Sequence, residues 1–236
     1  MTFGSVAIAY EEERIIEKHL QHLPDWIVEK VLLQSIEPWS GGNPSSPLTA
    51  ELAEPYARVV RSQWQTEEAQ RNTGQQLHAD KDWVIILDPD EFLDNDNWDK
   101  LKKFLETTDA DAVVVEGQYT YWKDGWVATP PKDYQMLIAA KPHVQFVDKR
   151  VVGTGYTVAP VWLHHFSWAK TDEEVLRKIT TYAHNTDFDT MQWYNTVWLN
   201  WKPGDKNVHP TTPSTLEDFK RAVLPPEIER LDLWPK

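Results

Sequence analysis

Apolar and polar residues fall in alternating blocks along the first half of this chain. Ser5 to Tyr10 is a short apolar run without polar alternation, and Lys30 to Gln34 and Asp111 to Val115 read the same way. Such runs suit strands buried on both faces of a parallel sheet. Between the first two, Ile15, Ile16, His19, Leu20 and Leu23 recur at helical spacing and predict a helix from about Glu12 to Leu23. A polar helix is predicted from about Gln63 to Ala79, after an aperiodic segment from Pro38 to Thr49 that carries Gly41 and Gly42. A loop of that length inside a compact fold is either disordered or a functional lid. The sharpest boundary follows Trp83, where Val84, Ile85, Ile86 and Leu87 run directly into Asp88, Pro89, Asp90 and Glu91.

The acids beyond Asp90 invite a calcium-loop reading, because Asp88, Asp90, Asp94, Asp96 and Asp99 match the ligand spacing of an EF-hand. That reading fails: Leu93 stands where the loop needs a sharply turning Gly, and Phe92 offers no side-chain oxygen. Asp96 instead predicts a cap for a helix from about Asn97 to Glu106, with Trp98, Leu101, Phe104 and Leu105 on its apolar face. After Glu116 the texture changes. Asp124-Gly125 between Tyr119–Trp122 and Trp126–Ala128 signals a hairpin. Short strands follow at Gln135–Ala139 and Val144–Val147, then an apolar stretch from Val161 to Trp168. A helix from about Asp172 to Ala183 carries a capping box of Thr171 and Glu174. Helices near Met191–Trp201 and Leu216–Val223 close the chain. Strands alternating with helices predict an α/β fold, mostly parallel, with a mixed C-terminal half and C-terminal helices. No linker interrupts it, so residues 1–236 are expected to form a single domain.

Composition narrows the chemistry. A formal charge of −13 leaves no broad basic surface for nonspecific duplex binding. Without cysteine there is no disulfide, thiolate zinc site or cysteine nucleophile. The N-terminus lacks a basic n-region and no stretch is apolar enough to span a bilayer, which predicts a soluble cytoplasmic protein. Thirteen tryptophans are many for this length; most are expected in the core, and any ring beside a cleft would stack on sugars or bases.

Three carboxylates within four residues, Asp88, Asp90 and Glu91, repel one another unless a cation stands among them. In open α/β sheets the carboxyl ends of strands are where ligands bind, and a hard divalent ion holding a diphosphate is the simplest occupant. Arg71, in the polar helix just before this strand, has the planar fork that suits a nucleotide phosphate. His164 and His165 are adjacent, so in a strand only one of them looks into the cleft. An imidazole with the unperturbed value would stop coordinating below roughly pH 6.5.

The ordered set resembles the family-two nucleotide-sugar glycosyltransferases, in particular the small bacterial and phage branch with a shortened GT-A fold. It comprises a first strand running into Tyr10-Glu11-Glu12, a helix with Arg71-Asn72, then Trp83 to Phe92 with its Asp-x-Asp. His165-Phe166-Ser167-Trp168 and a helix with Lys178 and His184 follow. The resemblance covers roughly residues 3–185 and implies a metal-dependent, inverting transfer of a sugar to an acceptor hydroxyl. It implies that Asp88 faces the ribose, that Asp90 binds Mn2+ or Mg2+ with Asp88 and His165 completing the shell, and that Tyr10, Glu11 and Arg71 hold the nucleotide sugar. Residues 1–116 would form the nucleotide-sugar half and residues 117–236 the acceptor half. A UDP-sugar is the default donor, although the base-reading Asp expected after the second strand is absent from Leu33 to Glu37. For the general base, Asp148 falls where related sequences carry an acid facing the acceptor, with Asp133 and Glu116 as competitors. The acceptor class stays open among a glycan, another hydroxylated molecule and a modified phage DNA base. Two other classes remain: a metal-dependent nucleotidyltransferase, although Ser40-Gly41-Gly42-Asn43-Pro44 has no phosphate-binding Lys, and a noncatalytic carbohydrate-binding protein, which would leave the Asp88 cluster without a role.

Overall fold

The structure, a computed structural model, describes residues 1–133, 135–181, 185–211 and 218–236. Its first half is a run of parallel strands with helices between them. β1 (Phe3–Ala9) is buried along its whole length and pairs in parallel with β2 (Ile27–Ser35) on one side and β4 (Trp83–Ile86) on the other. α1 (Ile16–His22) joins the first two; the five apolar-face positions, Ile15, Ile16, His19, Leu20 and Leu23, are all buried. α2 (Leu48–Ala53) leads to β3 (Arg58–Ser62), which extends the sheet beyond β2, and α3 (Glu67–Leu77) crosses back to β4. Strand order therefore reverses at β1, and the crevice between the carboxyl ends of β1 and β4 is the topological switch point.

The second half is mixed. A two-residue strand, β5 (Glu91–Phe92), follows the acidic turn, and α4 (Asn95–Leu105) leads to the long β6 (Ala112–Trp122). β6 turns at Asp124-Gly125 into β7 (Trp126–Thr129), the hairpin that the dipeptide predicts. β8 (Leu137–Ala140) lies antiparallel between β4 and β6. A small ribbon of β9 (Phe146–Asp148) and β10 (Val151–Val152) precedes β11 (Thr157–His165), which runs parallel to β6 and meets β5 at its end. α5 (Asp172–Thr181) begins with the predicted capping box: Thr171 Oγ1 accepts the Glu174 amide at 3.1 Å while Glu174 accepts the Thr171 amide at 2.8 Å. α6 (Thr190–Trp193) continues as one overwide turn to Trp198. β12 (Asp218–Arg221) and α7 (Pro226–Glu229) complete the described elements.

Several expected elements differ, each for a local reason. Asp94, not Asp96, caps α4: its backbone is extended and its carboxylate accepts the Asn97 amide at 2.8 Å, which leaves Asp96 in the first turn. The loop from Pro38 ends early, at α2. β3 lies at the sheet edge, where Arg58 and Arg61 break its apolar pattern, as edge strands commonly do. Within Leu216–Val223, Asp218–Arg221 is a strand rather than a helix because it pairs with β7; residues 216 and 217 lie outside the described residues. The helix expected near Met191–Trp201 is a short turn of α-helix that then widens.

Five apolar clusters form among the described residues, of which two are the largest. The main core packs α1 and α4 on the sheet through Leu20, Trp83, Ile85, Trp98, Leu101 and Leu105. The second is built of indoles, with Trp122, Trp168, Trp193, Trp198 and Trp201 around Phe219. Of the thirteen tryptophans, eight are buried and none is exposed. The residues after α7 fold back as a clasp. Trp234 donates its indole N–H to the Trp122 carbonyl at 2.8 Å, Lys18 reaches the Asp232 carbonyl at 2.7 Å, and Arg14 joins the carbonyls of Leu233 and Ala169 to Glu174. Among the described residues no helix is long and apolar enough to cross a membrane.

Gly74 sets how closely α3 approaches β1, since a Cβ there would stand 2.6 Å from Val6 Cγ1. Gly74→Ala should lower stability by about 1–3 kcal/mol in urea denaturation. Combined with Val6→Ala it should cost less than the sum of the two single changes, because the second removes the clash.

Candidate functional site

A cavity of about 690 Å³ opens at the switch point. The turn after β1 gives it Tyr10, Glu11 and Glu12; α3 gives Glu67 and Arg71; and the turn after β4 gives Asp88 to Glu91. From the second half come Gln118 and Thr120 on β6, Lys149 to Val151 on the β9–β10 ribbon, His165, Ser167, Trp168 and Lys170 around the end of β11, and Arg177 and Lys178 on α5. Apart from Asp148, Asp133 and Glu116, the site residues expected from sequence all meet here.

Each acid in the turn has its own counter-charge. Arg71, 3% exposed, grips Asp88 with both terminal nitrogens at 3.1 and 2.8 Å and is braced by Glu67 at 2.9 Å through Nε. Burial pushes the Asp88 carboxyl up, but Arg71 and Arg150 outweigh it and hold the group below the usual carboxylate range. Glu91, 1% exposed, accepts from Arg150 at 2.5 Å and from the Asp88 amide at 2.9 Å. Burial dominates for Glu91, raising its pKa to about 7 against the pull of Arg150. Asp90 stands between Lys178, 3.5 Å from Oδ2, and His165, whose Nε2 is 3.7 Å from Oδ1. Burial opposes its charge, yet Lys178 and Lys170 outweigh it and hold the group well below the usual carboxylate range. Glu12 pairs with Lys170 at 3.0 Å, Glu11 with Arg177 at 2.9 Å and Glu174 with Arg14 at 2.8 Å. All seven acids that line the cavity are thus paired with a basic group.

The two histidines part company. His164 is buried, stacked between Tyr119 and Tyr121, and bonded to the Tyr121 hydroxyl at 2.7 Å and to Asp94 at 3.2 Å. His165 lines the cavity. Its Nδ1 donates to Gln118 Oε1 at 3.3 Å, which leaves the Nε2 lone pair turned toward Asp90. Burial lowers the His165 pKa to about 4, so the ring is neutral at pH 7 and the expected threshold near 6.5 moves down. A neutral lone pair facing a carboxylate oxygen, with the far nitrogen held by an acceptor, is the donor arrangement a cation would join. Those two donors fit a divalent ion that takes its other ligands from phosphate and water. Asp88 is held on both oxygens by Arg71, so the part expected of it in a metal shell would be shared with that guanidinium. Among the described residues no three His, Asp or Glu side chains converge to hold a metal ion by themselves.

The expected bases are also displaced. Asp148 lies exposed on β9 and is not among the residues that line the cavity. Glu116 is exposed and accepts the Trp162 indole N–H at 3.1 Å, and Asp133 is exposed as well. Of Phe146-Val147-Asp148-Lys149-Arg150, the basic end enters the site. Arg150 and Lys170 were not singled out from sequence; basic residues flanking the acid and following Ser167-Trp168 were the available signal. His184 lies outside the described residues.

A loop covers one end of the cavity. Tyr10 donates its hydroxyl proton to the Asn43 carbonyl, and Glu11 accepts the Ser46 amide at 3.2 Å. Trp39 donates its indole N–H to Gln70 at 3.0 Å, and Ser40 Oγ reaches the Thr181 carbonyl on α5 at 3.0 Å. The last contact carries the loop from β2 across to α5.

A sequence model of the family described as Glycosyl transferase family 2 matches residues 27–199. Among solved structures, S. aureus TarS 1-349 is similar at 13% identity over 85% of this chain and 71% of that one, with a TM-score of 0.45. GalNAc-T7 with UDP, GalNAc and Mn2+ is similar at 11% identity over 82% of this chain and 49% of that one, with a TM-score of 0.49. TarS 1-349 in complex with UDP-GlcNAc matches at 18% identity over 50% of this chain, which spans 34% of it, with a TM-score of 0.37. No curated protein matches the chain.

The histidine geometry is open to titration. By NMR, the His165 ring should stay neutral from pH 7 down to about 4. Unfolded chains take up that proton below about 6.5, so stability carried by His165 is present above that value and is lost as pH falls toward 4. The stability difference between wild type and His165→Gln should shrink across that window; a constant difference would mean the ring is solvated.

Proposed function

The chain belongs to glycosyl transferase family 2, and on that premise we propose that it transfers a sugar from a nucleoside-diphosphate sugar to an acceptor hydroxyl, with inversion and with Mn2+ or Mg2+ bound. The observation that carries the reading is the pairing of Asp90 with the His165 lone pair at the switch-point crevice. Charge supports it. Six basic and seven acidic side chains line the cavity, so an anionic diphosphate gains little from the cavity alone and enters favourably with a divalent cation beside it. The default donor is a UDP-sugar. Residues 1–116 bind it and residues 117–236 supply most of the acceptor side.

In this reading Arg71 fixes Asp88 toward the nucleotide end, and Tyr10 and Glu11 hold the covering loop in register with it. Asp90 and His165 hold the cation, which when bound offsets charge on the departing diphosphate. Lys170 and Lys178 add positive charge at the same place. The acceptor enters past Gln118 and Thr120, and a carboxylate takes its proton as the hydroxyl attacks. Glu12 and Glu91, which line the cavity and whose proton affinities burial raises, stand beside Asp148 as candidates for that base.

Asp90→Asn should abolish donor turnover and cation-dependent nucleotide binding while the protein stays folded in thermal melts. Near-normal transfer by this variant would refute the assignment. Product analysis separates the classes: nucleoside diphosphate release fits glycosyl transfer, pyrophosphate release a nucleotidyltransferase, and saturable sugar binding without turnover a binding protein. UDP at about 100 times its dissociation constant should add ~2.7 kcal/mol of stability.

The covering loop gives an independent check. Proteolytic nicking between residues 38 and 47 should slow when nucleotide and Mn2+ are present. Equal rates with and without them would make this segment a plain connection.

A further inference from the structure

Lys178 occupies an unusual station. Its Nζ donates to Ser167 Oγ at 2.7 Å and to the Ser167 carbonyl at 3.1 Å, and lies 5.4 Å from the centre of the Trp168 ring. Its distance to Asp90 Oδ2 is 3.5 Å, longer than a formed hydrogen bond. The ammonium is therefore anchored on Ser167 and only leans on the carboxylate, at the end of a flexible four-carbon stem. Lys170, 5% exposed, brings a second positive charge to the same corner, where Glu12 holds it at 3.0 Å. The remaining oxygen of Asp90 faces His165.

A divalent cation on Asp90 would meet Lys178 almost in contact, within a buried site that screens charge poorly. The two cations can share that corner only if new negative charge arrives with them, and a diphosphate is such a charge. The geometry points to Lys178 as a movable counter-ion: it neutralises Asp90 while the cavity is empty and passes to the diphosphate of the donor, leaving Asp90 to the metal. This rests on the donor reading given above and adds an order to it, since metal and nucleotide must then strengthen one another. By linkage the factor is the same in both directions.

The test uses the full chain, with Mn2+ binding followed by electron paramagnetic resonance of the free ion and nucleotide binding by calorimetry. Wild type should bind Mn2+ weakly alone and about tenfold or more tightly with UDP. Lys178→Met removes the charge and keeps the stem. It should tighten nucleotide-free Mn2+ binding by about tenfold and weaken UDP binding by a similar factor, with uridine unaffected. Lys178→Arg should resemble wild type, and thermal melts confirm that both variants are folded. Nucleotide-free Mn2+ binding that is unchanged or weaker in Lys178→Met overturns the counter-ion role, even if UDP and Mn2+ bind the wild type as expected. A wild-type chain that binds no UDP overturns the donor reading and this proposal together.

Discussion

A carboxylate withdrawn from water needs a counter-charge, and this fold gathers Asp88, Asp90 and Glu91 at the end of one buried strand. Much of the architecture around the cavity can be understood as the supply of those charges. α3 is placed so that Arg71 meets Asp88, and the close approach permitted by Gly74 fixes that placement. The β9–β10 ribbon leans in so that Arg150 reaches Glu91 while also bonding the carbonyls of Ile86 and Leu137. α5 brings Lys178 over Asp90. Breaking one member of such a set leaves its partner buried and uncompensated, which typically costs more than the pair itself contributes. The elements are held to the site by electrostatic need as well as by apolar packing.

Those dependencies also decide what can be read from sequence. Local signals transmit faithfully: the apolar run from Trp83, the stripe on α1, the Asp124-Gly125 hairpin and the Thr171–Glu174 box each arise within a dozen residues. Distant pairings do not. Arg150 meets Glu91 from 59 residues away and Lys170 meets Glu12 from 158, and no periodicity encodes either contact. β3 and β12 are strands because a neighbour accepts them, not because their own pattern demands it. Asp148 matches related sequences in position, but here it lies exposed on β9 while Arg150, two residues on, reaches Asp88 and Glu91. For the histidine pair alternation is decisive, because His165 enters the cavity and its neighbour His164 the core.

The clasp formed by residues 231–234 has a temporal consequence. Arg14, near the start of the chain, is oriented by the carbonyls of Leu233 and Ala169 and in turn holds Glu174 at the head of α5. Trp234 closes over Tyr121 and Phe166, beside the strand that carries His165. Synthesis delivers those partners after every residue that lines the cavity. The parallel sheet can assemble while synthesis continues, but the helix bearing Lys178 gains its final support only once residue 234 has emerged from the exit tunnel. A nascent chain therefore carries the acids of the cavity long before the bracing of α5 is complete.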